Sequence, residues 1–188
     1  MNKDQIMTSV SQQMPQRRWV HTLGVMSTSR KLAEMYGEDP ERAELAAIIH
    51  DVAKCWPIEE QRQYIIEHQL DTELLQYNKE LWHAEIGSDV AWVQYGVDDP
   101  GIRDAIRYHT SGRADMSTLE KVVWLADYIE PNRDFPGVEE ARKLAEQSLE
   151  EAILFGLNST IILLVEKHRI IYPGTIAARN SLLHMMNI

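Results

Sequence analysis

A histidine and an aspartate stand side by side in one of the most apolar stretches of this sequence. His50 and Asp51 follow Ile48 and Ile49 and precede Val52 and Ala53, so the helix that carries them should run into the core. A buried carboxylate without a partner costs several kcal/mol, and a bound cation removes that cost. Imidazole beside carboxylate suits iron, manganese, cobalt or zinc. The pair indicates a metal site, although a lone histidine on an apolar face is more often a hydrogen-bonded core residue.

Further side chains that can bind metal lie where predicted helices should face their neighbours. They are His21, His83, His109 and Asp127, each on a separate helix. Each lies in or beside the apolar stripe of its own helix; Asp127, for example, follows Val123 by one turn. Helical bundles commonly build metal centres from inward side chains on facing helices. Together with His50 and Asp51, these residues predict one metal centre built from five segments.

The elements that must position these residues are predicted to be helices, because helical periodicity dominates the sequence. The predicted helices cover about 15–37, 40–54, 58–69, 83–96, 100–109, 117–130, 138–169 with a break near Ser148, and 175–187. Ser117 is the expected N-cap of its helix, with Glu120 completing a capping box, and Thr175 is the expected N-cap of the last helix. We expect an all-α single domain over residues 1–188, with the C-terminal helices of about 149–188 packing over the active site.

The composition of the chain limits which binding partners and which cellular location we expect. The chain has 188 residues and a formal net charge of −10, so it would repel a nucleic-acid backbone, and we see no basic run to offset this. Its single cysteine, Cys55, fits a reducing cytosol, and its longest apolar run, residues 161–165, is far too short to cross a bilayer. We therefore expect a cytoplasmic protein with no nucleic-acid or membrane partner. The five tryptophans and the C-terminal helices would allow a homodimer face but could equally be core.

The order of the candidate ligands resembles a known signature. His21, then His50-Asp51, then Asp127 is similar to the H…HD…D pattern of the HD-domain phosphohydrolase superfamily. Within it, nearly the whole chain resembles the bacterial YqeK family of symmetrical diadenosine tetraphosphate hydrolases. The similarity lies in the segments RRWVHTLGV, AAIIHDVAK, LWHAEIGSDVA, IRYHTSGR, LADYIEPNRDFPGVEEAR and IIYPGTIAARN. Tyr172 stands where a histidine is expected in many relatives.

The resemblance implies an HD-domain helical bundle with a two-metal site in its core. One metal would be held by His21, His50, Asp51 and Asp127, and the second by Asp51, His83 and His109, with Asp51 as the bridge. Iron is the metal expected from the family, and the ligand types also allow manganese or cobalt. The implied reaction is symmetrical hydrolysis of diadenosine tetraphosphate to two ADP by a metal-activated hydroxide, with Asp51 and Lys54 as catalytic residues.

Several side chains are expected to contact the nucleotide. We interpret Lys54, one helical turn after His50, as a phosphate ligand, and Arg133 as a flexible guanidinium that can reach a phosphate. The start of the last helix offers free N–H groups to an anion, with Tyr172 near the base. The full expected set is His21, Lys54, His83, His109, Thr110, Asp127, Arg133, Tyr172, Gly174, Thr175 and Arg179. Lys54, Thr110 and Arg133 could instead be capping or surface residues. Residues 172–179 could instead be a plain helix–turn–helix packed on the domain.

Two other functions are compatible with the same residues. An HD-type phosphohydrolase of deoxynucleoside phosphates or cyclic dinucleotides would use the same ligands, although the chain lacks the Gly-Tyr-Pro element of the HD-type cyclic dinucleotide phosphodiesterases. A non-catalytic helical module that binds nucleotide or metal is the other alternative. A decayed site usually loses at least one ligand, and here all six ligand positions are filled. This favours an enzyme.

Overall fold

The computed structural model describes residues 1–187, and this part of the chain is helical with no strand. The helices are α1 (Lys3–Gln12), α2 (Gln16–Tyr36), α3 (Pro40–Ile49), α4 (Ile58–Glu67), α5 (Trp82–Val93), α6 (Pro100–Tyr108), α7 (Thr118–Ile129), α8 (Val138–Ala145), α9 (Leu149–Glu166) and α10 (Pro173–Met185). Two short 3₁₀ helices, Thr72–Gln76 and Lys79–Leu81, connect α4 to α5. The prediction of an all-α fold is confirmed.

The central helices pack so that the candidate ligands face one core. α2 packs against α3 and α7, and α6 packs against α3, α5 and α7. α7 lies inside this group, and its apolar residues Leu119, Val122, Val123, Leu125 and Ala126 are all buried. α8 and α9 pack against α7, and α10 packs against α9. The helices predicted to carry His21, His83, His109 and Asp127 therefore surround the same interior.

Local sequence signals explain where several helices begin and end. At the start of α7, the Glu120 backbone N–H donates to Ser117 Oγ at 3.3 Å, and the Ser117 N–H donates to Glu120 Oε2 at 2.7 Å. This capping box was predicted. Ser148 caps α9 at the predicted break. Gly37 follows the last residue of α2 as its C-cap, and its φ of 74° is the left-handed conformation that glycine adopts without strain.

The helix that leads to the His50-Asp51 pair ends earlier than the sequence predicted. We expected it to continue through Lys54, but α3 ends at Ile49, and residues 50–56 form tight turns. The Lys54 N–H, for example, donates to the Asp51 carbonyl at 2.9 Å. Hydrogen bonds of this i to i+3 kind replace α-helical ones when a helix tightens at its end. Lys54 therefore does not lie one α-helical turn after His50.

Two further differences concern the chain ends. Thr175 is not the N-cap of α10, because Tyr172 holds that position and Pro173 is the first helical residue. Proline is well suited to that first position, since its missing N–H would have no partner there. Helix α1 was not predicted, although a capping box of Asn2 and Gln5 marks its start.

The apolar residues are divided between core and surface. Trp82 and Trp124 are buried, whereas Trp92 is exposed. The guanidinium of Arg103 lies over the ring of Trp92, 4.0 Å from its centroid. No helix within residues 1–187 combines the length and the apolar character needed to cross a bilayer.

The capping box of α7 leads to a prediction about stability. Ser117→Ala removes the side-chain acceptor of the helix start, and we expect it to lower the free energy of unfolding by about 1 kcal/mol. Ser27→Ala, on the exposed surface of α2, is the control and should change it by less than about 0.5 kcal/mol. Urea unfolding with an unchanged m value measures both. Equal midpoints for the two variants would contradict the role of the cap.

Candidate metal centre

Five segments bring six metal-competent side chains to one point in the core. They are His21 from α2, His50 and Asp51 from the turn after α3, His83 from α5, His109 at the end of α6, and Asp127 from α7. The four histidines and Asp51 are each no more than 8% exposed. The structure thus places all six predicted ligands together, although they are distributed over more than half of the sequence.

The carboxylate of Asp51 lies at the centre of this group. Its Oδ1 is 3.0 Å from His83 Nε2 and 3.8 Å from His109 Nε2. Its Oδ2 is 3.3 Å from His50 Nε2 and 3.6 Å from His21 Nε2. Each oxygen therefore faces a different pair of imidazoles, which is the arrangement that a bridging carboxylate requires.

The donor atoms of these side chains fall into two overlapping groups. His21, His50 and Asp127 offer atoms within 4.8 Å of one another, as do His50, Asp51 and His109. His21 Nε2 lies 3.0 Å from Asp127 Oδ1, and His83 Nε2 lies 3.1 Å from His109 Nε2. Ligands at about 2.0–2.2 Å from one cation have separations of this order.

Backbone carbonyl groups orient two of the imidazole rings. His50 Nδ1 lies 2.6 Å from the Ala47 carbonyl, and His109 Nδ1 lies 2.7 Å from the Ile106 carbonyl. Because a carbonyl only accepts, each Nδ1 carries the hydrogen and donates it. Each Nε2 is then left with a lone pair directed at Asp51, which is the tautomer that binds a metal.

A buried carboxylate orients the third ring. His21 Nδ1 donates to Glu130 Oε1 at 3.1 Å, while Glu130 Oε2 accepts from Asn132 N at 2.7 Å and from Asn132 Nδ2 at 2.9 Å. Glu130 is only 1% exposed. A Cβ added at Gly24 would lie 2.3 Å from Glu130 Oε2, so glycine leaves the space that this carboxylate occupies. Glu130 was not predicted, although an acidic residue directly after the apolar helix α7 was a usable signal.

The buried ring nitrogens fit a bound metal. Nε2 of His21 and Nε2 of His50 are buried and have no hydrogen-bond partner within residues 1–187. A buried acceptor without a partner costs about 1–3 kcal/mol, and coordination to a cation removes this cost. A donor set of four imidazoles and two carboxylates suits a divalent transition metal. The residues present therefore fit the metal centre.

The ionisable groups of the centre shift one another's pKa values. Burial alone would raise the pKa of Asp51, but the neighbouring imidazoles, His50 first, hold it well below its ordinary value. Burial likewise opposes ionisation of Asp127, and its contact with His21 outweighs this and lowers the pKa. Burial lowers the pKa of His83 to about 4, so this ring is neutral at pH 7. The ionised carboxylates and the neutral His83 ring coordinate without first losing protons. Burial opposes a charge on His50, but Asp51 outweighs this and raises the pKa of that ring, so a cation bound there displaces a proton.

Two arginines contact the ligand carboxylates. Arg18 Nη1 donates to Asp51 Oδ2 at 2.8 Å. Arg133 Nε donates to the Asp127 carbonyl at 2.8 Å, and its guanidinium also contacts the Asp127 carboxylate. Arg133 was predicted near the site, whereas Arg18 was missed. Its position three residues before His21 on one helix face was the available signal.

A cleft of about 280 Å³ opens beside the centre, and we call it the apolar cleft. Among the residues that line it are Lys54, His109, Thr110, Asp127, Tyr172 and Thr175, and its apolar wall contains Trp124, Tyr128, Leu164 and Ile170. Lys54 Nζ donates to Glu80 Oε2 at 2.7 Å. The ring of Tyr172 packs edge to face against Tyr77, with centroids 5.0 Å apart.

Other expected nucleotide contacts lie elsewhere. Arg179 Nε donates to Asn158 Oδ1 at 2.6 Å, which directs this side chain to α9 rather than to the cleft. Gly174 lies beneath Tyr172, because a Cβ there would be 2.4 Å from Tyr172 Cε1. His83 is buried beside His109. His21 and Arg133 line a neighbouring cleft instead.

The contact between Glu130 and His21 generates a prediction. Glu130→Gln keeps the shape of the side chain but removes the charge that supports the ring, and we expect it to weaken metal binding by about 10- to 100-fold. Titration of the metal-free protein with metal, followed by calorimetry, measures the change. Glu60→Gln, on the exposed surface of α4, is the matched control. An unchanged metal affinity in Glu130→Gln would contradict this role.

Comparison with known proteins places the chain in a family. The model of the HD domain matches residues 18–132. The symmetrical bis(5'-nucleosyl)-tetraphosphatase of Bacillus subtilis is 47% identical over 97% of this chain and 98% of its own length. The protein of the same name from Staphylococcus aureus is 34% identical over 96% and 94% of the two chains. A crystal structure from Clostridium acetobutylicum, described as a predicted HD superfamily hydrolase involved in NAD metabolism, superposes with a TM-score of 0.94 at 37% identity and covers 98% of both chains.

These similarities extend over nearly the whole chain, and the matched HD region contains all six residues of the metal centre. They agree with the resemblance that the order of His21, His50, Asp51 and Asp127 suggested. The chain belongs to the HD-domain family and, within it, to the symmetrical bis(5'-nucleosyl)-tetraphosphatases.

Proposed function

We propose that this protein is a metal-dependent hydrolase that cleaves diadenosine tetraphosphate symmetrically into two ADP molecules. The observation that carries the proposal is the buried Asp51 carboxylate, whose two oxygens face different imidazole pairs. Family membership supports the substrate, since its curated relatives are named symmetrical bis(5'-nucleosyl)-tetraphosphatases. The adjoining cleft provides a place for a nucleotide beside that centre.

The proposed cofactor is a pair of divalent cations. His21, His50, Asp51 and Asp127 would hold one, and Asp51, His83 and His109 the other. We propose iron, as the family resemblance implies, and the nitrogen-rich donor set would also accept manganese or cobalt. When bound, such cations act as Lewis acids that activate water at neutral pH and offset phosphate charge.

Cationic and hydroxyl side chains around the centre would position the phosphates. Arg133 is hydrogen-bonded to Asp127, and Lys54 is hydrogen-bonded to Glu80. The Lys54–Glu80 pair is solvent-accessible, and pairs of this kind contribute only about 0–1 kcal/mol, so a phosphate can replace Glu80. Charge-assisted hydrogen bonds from these groups would then stabilise the negative charge that develops on the leaving diphosphate. Thr110, next to His109, would add a hydroxyl donor.

The apolar cleft would hold one adenosine. Tyr128, Leu164 and Ile170 give it an apolar wall, and Tyr172 stands at its edge. A flat base packs well against aromatic and aliphatic side chains, while a small number of polar groups set its orientation. Thr175, buried in the first turn of α10, is one such group. The C-terminal helices would thus cover the active site, as we proposed from the sequence.

Removal of the central carboxylate tests the proposal. Asp51→Asn keeps the side-chain volume but loses the charge shared by both ligand sets, and we expect turnover of diadenosine tetraphosphate to fall about 1000-fold or more. Product chromatography measures turnover, and elemental analysis measures bound metal, which should fall with it. Asp98→Asn, exposed after α5, is the control.

The products distinguish this proposal from the alternatives. Two ADP molecules from each substrate support it. Release of inorganic phosphate or pyrophosphate would favour a different HD phosphohydrolase, and nucleotide binding without turnover would favour a non-catalytic module. Full activity in Asp51→Asn after treatment with a chelator would contradict the metal-dependent scheme.

A further inference from the structure

A second cleft, of about 550 Å³, adjoins the metal centre, and we call it the arginine cleft. Its lining includes Arg17, Arg18, Arg133, His21 and Cys55. Among the described residues, it shares no lining residue with the apolar cleft. The two clefts are nevertheless neighbours, because each contains residues that contact the same metal-centre carboxylates.

The two clefts approach different oxygens of Asp51. The apolar cleft contains His109, which is nearest to Oδ1. The arginine cleft contains His21 and Arg18, and both contact Oδ2. A chain of phosphates that passes Asp51 from one oxygen to the other therefore leaves the first cleft and enters the second.

The arginine cleft is cationic in a chain whose net charge is −10. The side chains of Arg18 and Arg133 are 29% and 35% exposed, so each guanidinium holds a ligand carboxylate with one edge and keeps part of its surface accessible. Arg17 is exposed and forms no ion pair within residues 1–187. Among the described residues, the one acidic side chain in the lining is Glu130, which is buried and accepts hydrogen bonds from its neighbours. The cleft therefore attracts phosphate.

Symmetrical cleavage needs space for substrate on both sides of the metal centre. When the central bond of a tetraphosphate lies at the metal centre, a nucleoside diphosphate extends to each side of it. The apolar cleft accounts for one of these halves. We propose that the arginine cleft binds the second nucleoside diphosphate, with its phosphates on Arg17, Arg18 and Arg133; this inference rests on the proposed function. Val20, which is exposed in the lining, offers apolar surface to its nucleoside.

Cys55 makes the occupancy of this cleft measurable. It is the single cysteine of the chain, it is exposed, and it lies in the lining of the arginine cleft. Alkylation by N-ethylmaleimide therefore reports on one position only. A ligand that fills the arginine cleft should slow this reaction, whereas a ligand confined to the apolar cleft should not.

The experiment uses the metal-loaded full-length protein and an analogue of diadenosine tetraphosphate in which a methylene group replaces the central bridging oxygen. We expect the analogue to slow Cys55 alkylation several-fold in the wild type. Arg17→Gln should raise the analogue concentration that gives half-protection by about five- to tenfold, as expected for the loss of one charge-assisted contact. Arg62→Gln removes the same charge from the exposed surface of α4 and should leave that concentration unchanged.

Turnover of diadenosine tetraphosphate by the same wild-type preparation separates this inference from the proposed function. Two ADP products together with unprotected Cys55, at analogue concentrations that calorimetry shows to be saturating, would overturn the second site and leave the function intact. Equal half-protection in Arg17→Gln and Arg62→Gln would overturn it as well. Failure to form ADP would overturn the proposed function and the inference that depends on it.

Discussion

The carboxylate of Asp51 is buried in a helical core, and a negative charge in that position requires compensating groups on every side. Four imidazoles and the guanidinium of Arg18 surround it. Because these groups come from segments far apart in the sequence, the packing of α2, α5, α6 and the turn after α3 has to bring them within a few ångströms. The packing of the central helices and the assembly of the metal centre therefore depend on each other.

Charge compensation of Asp51 alone would leave the imidazole rings free to rotate. Hydrogen bonds made by their other ring nitrogens prevent this rotation. The carbonyls of Ala47 and Ile106 hold two rings, and Glu130 holds the third. These contacts assign a hydrogen to each outward ring nitrogen and leave a lone pair on each inward one. The ligands are therefore oriented before any substrate binds. The two clefts beside them differ, since one is apolar and the other is cationic.

Much of this could be predicted from the sequence, for identifiable reasons. Periodicity and capping residues such as Ser117 located most helices, and the polar ligands stood out against apolar stripes. Two predictions were wrong, namely that the helix through His50 continues to Lys54 and that Thr175 is the N-cap of α10. The hydrogen bonds that close a turn, and a proline at a helix start, are decided locally by geometry. The contact of Arg179 with Asn158 depends on the approach of two helices and could not be predicted from spacing. The spacing of Arg18 before His21 pointed to the site, but not to its contact with Asp51.

The central claim is that Asp51 bridges two cations. The most direct test is anomalous X-ray scattering from crystals of the metal-loaded protein, with data collected on both sides of the absorption edge of the bound metal. The account predicts two peaks, about 3.5–4 Å apart as in other two-metal sites, with one oxygen of Asp51 coordinated to each. A single peak, or two peaks of which one has no contact with Asp51, would contradict it.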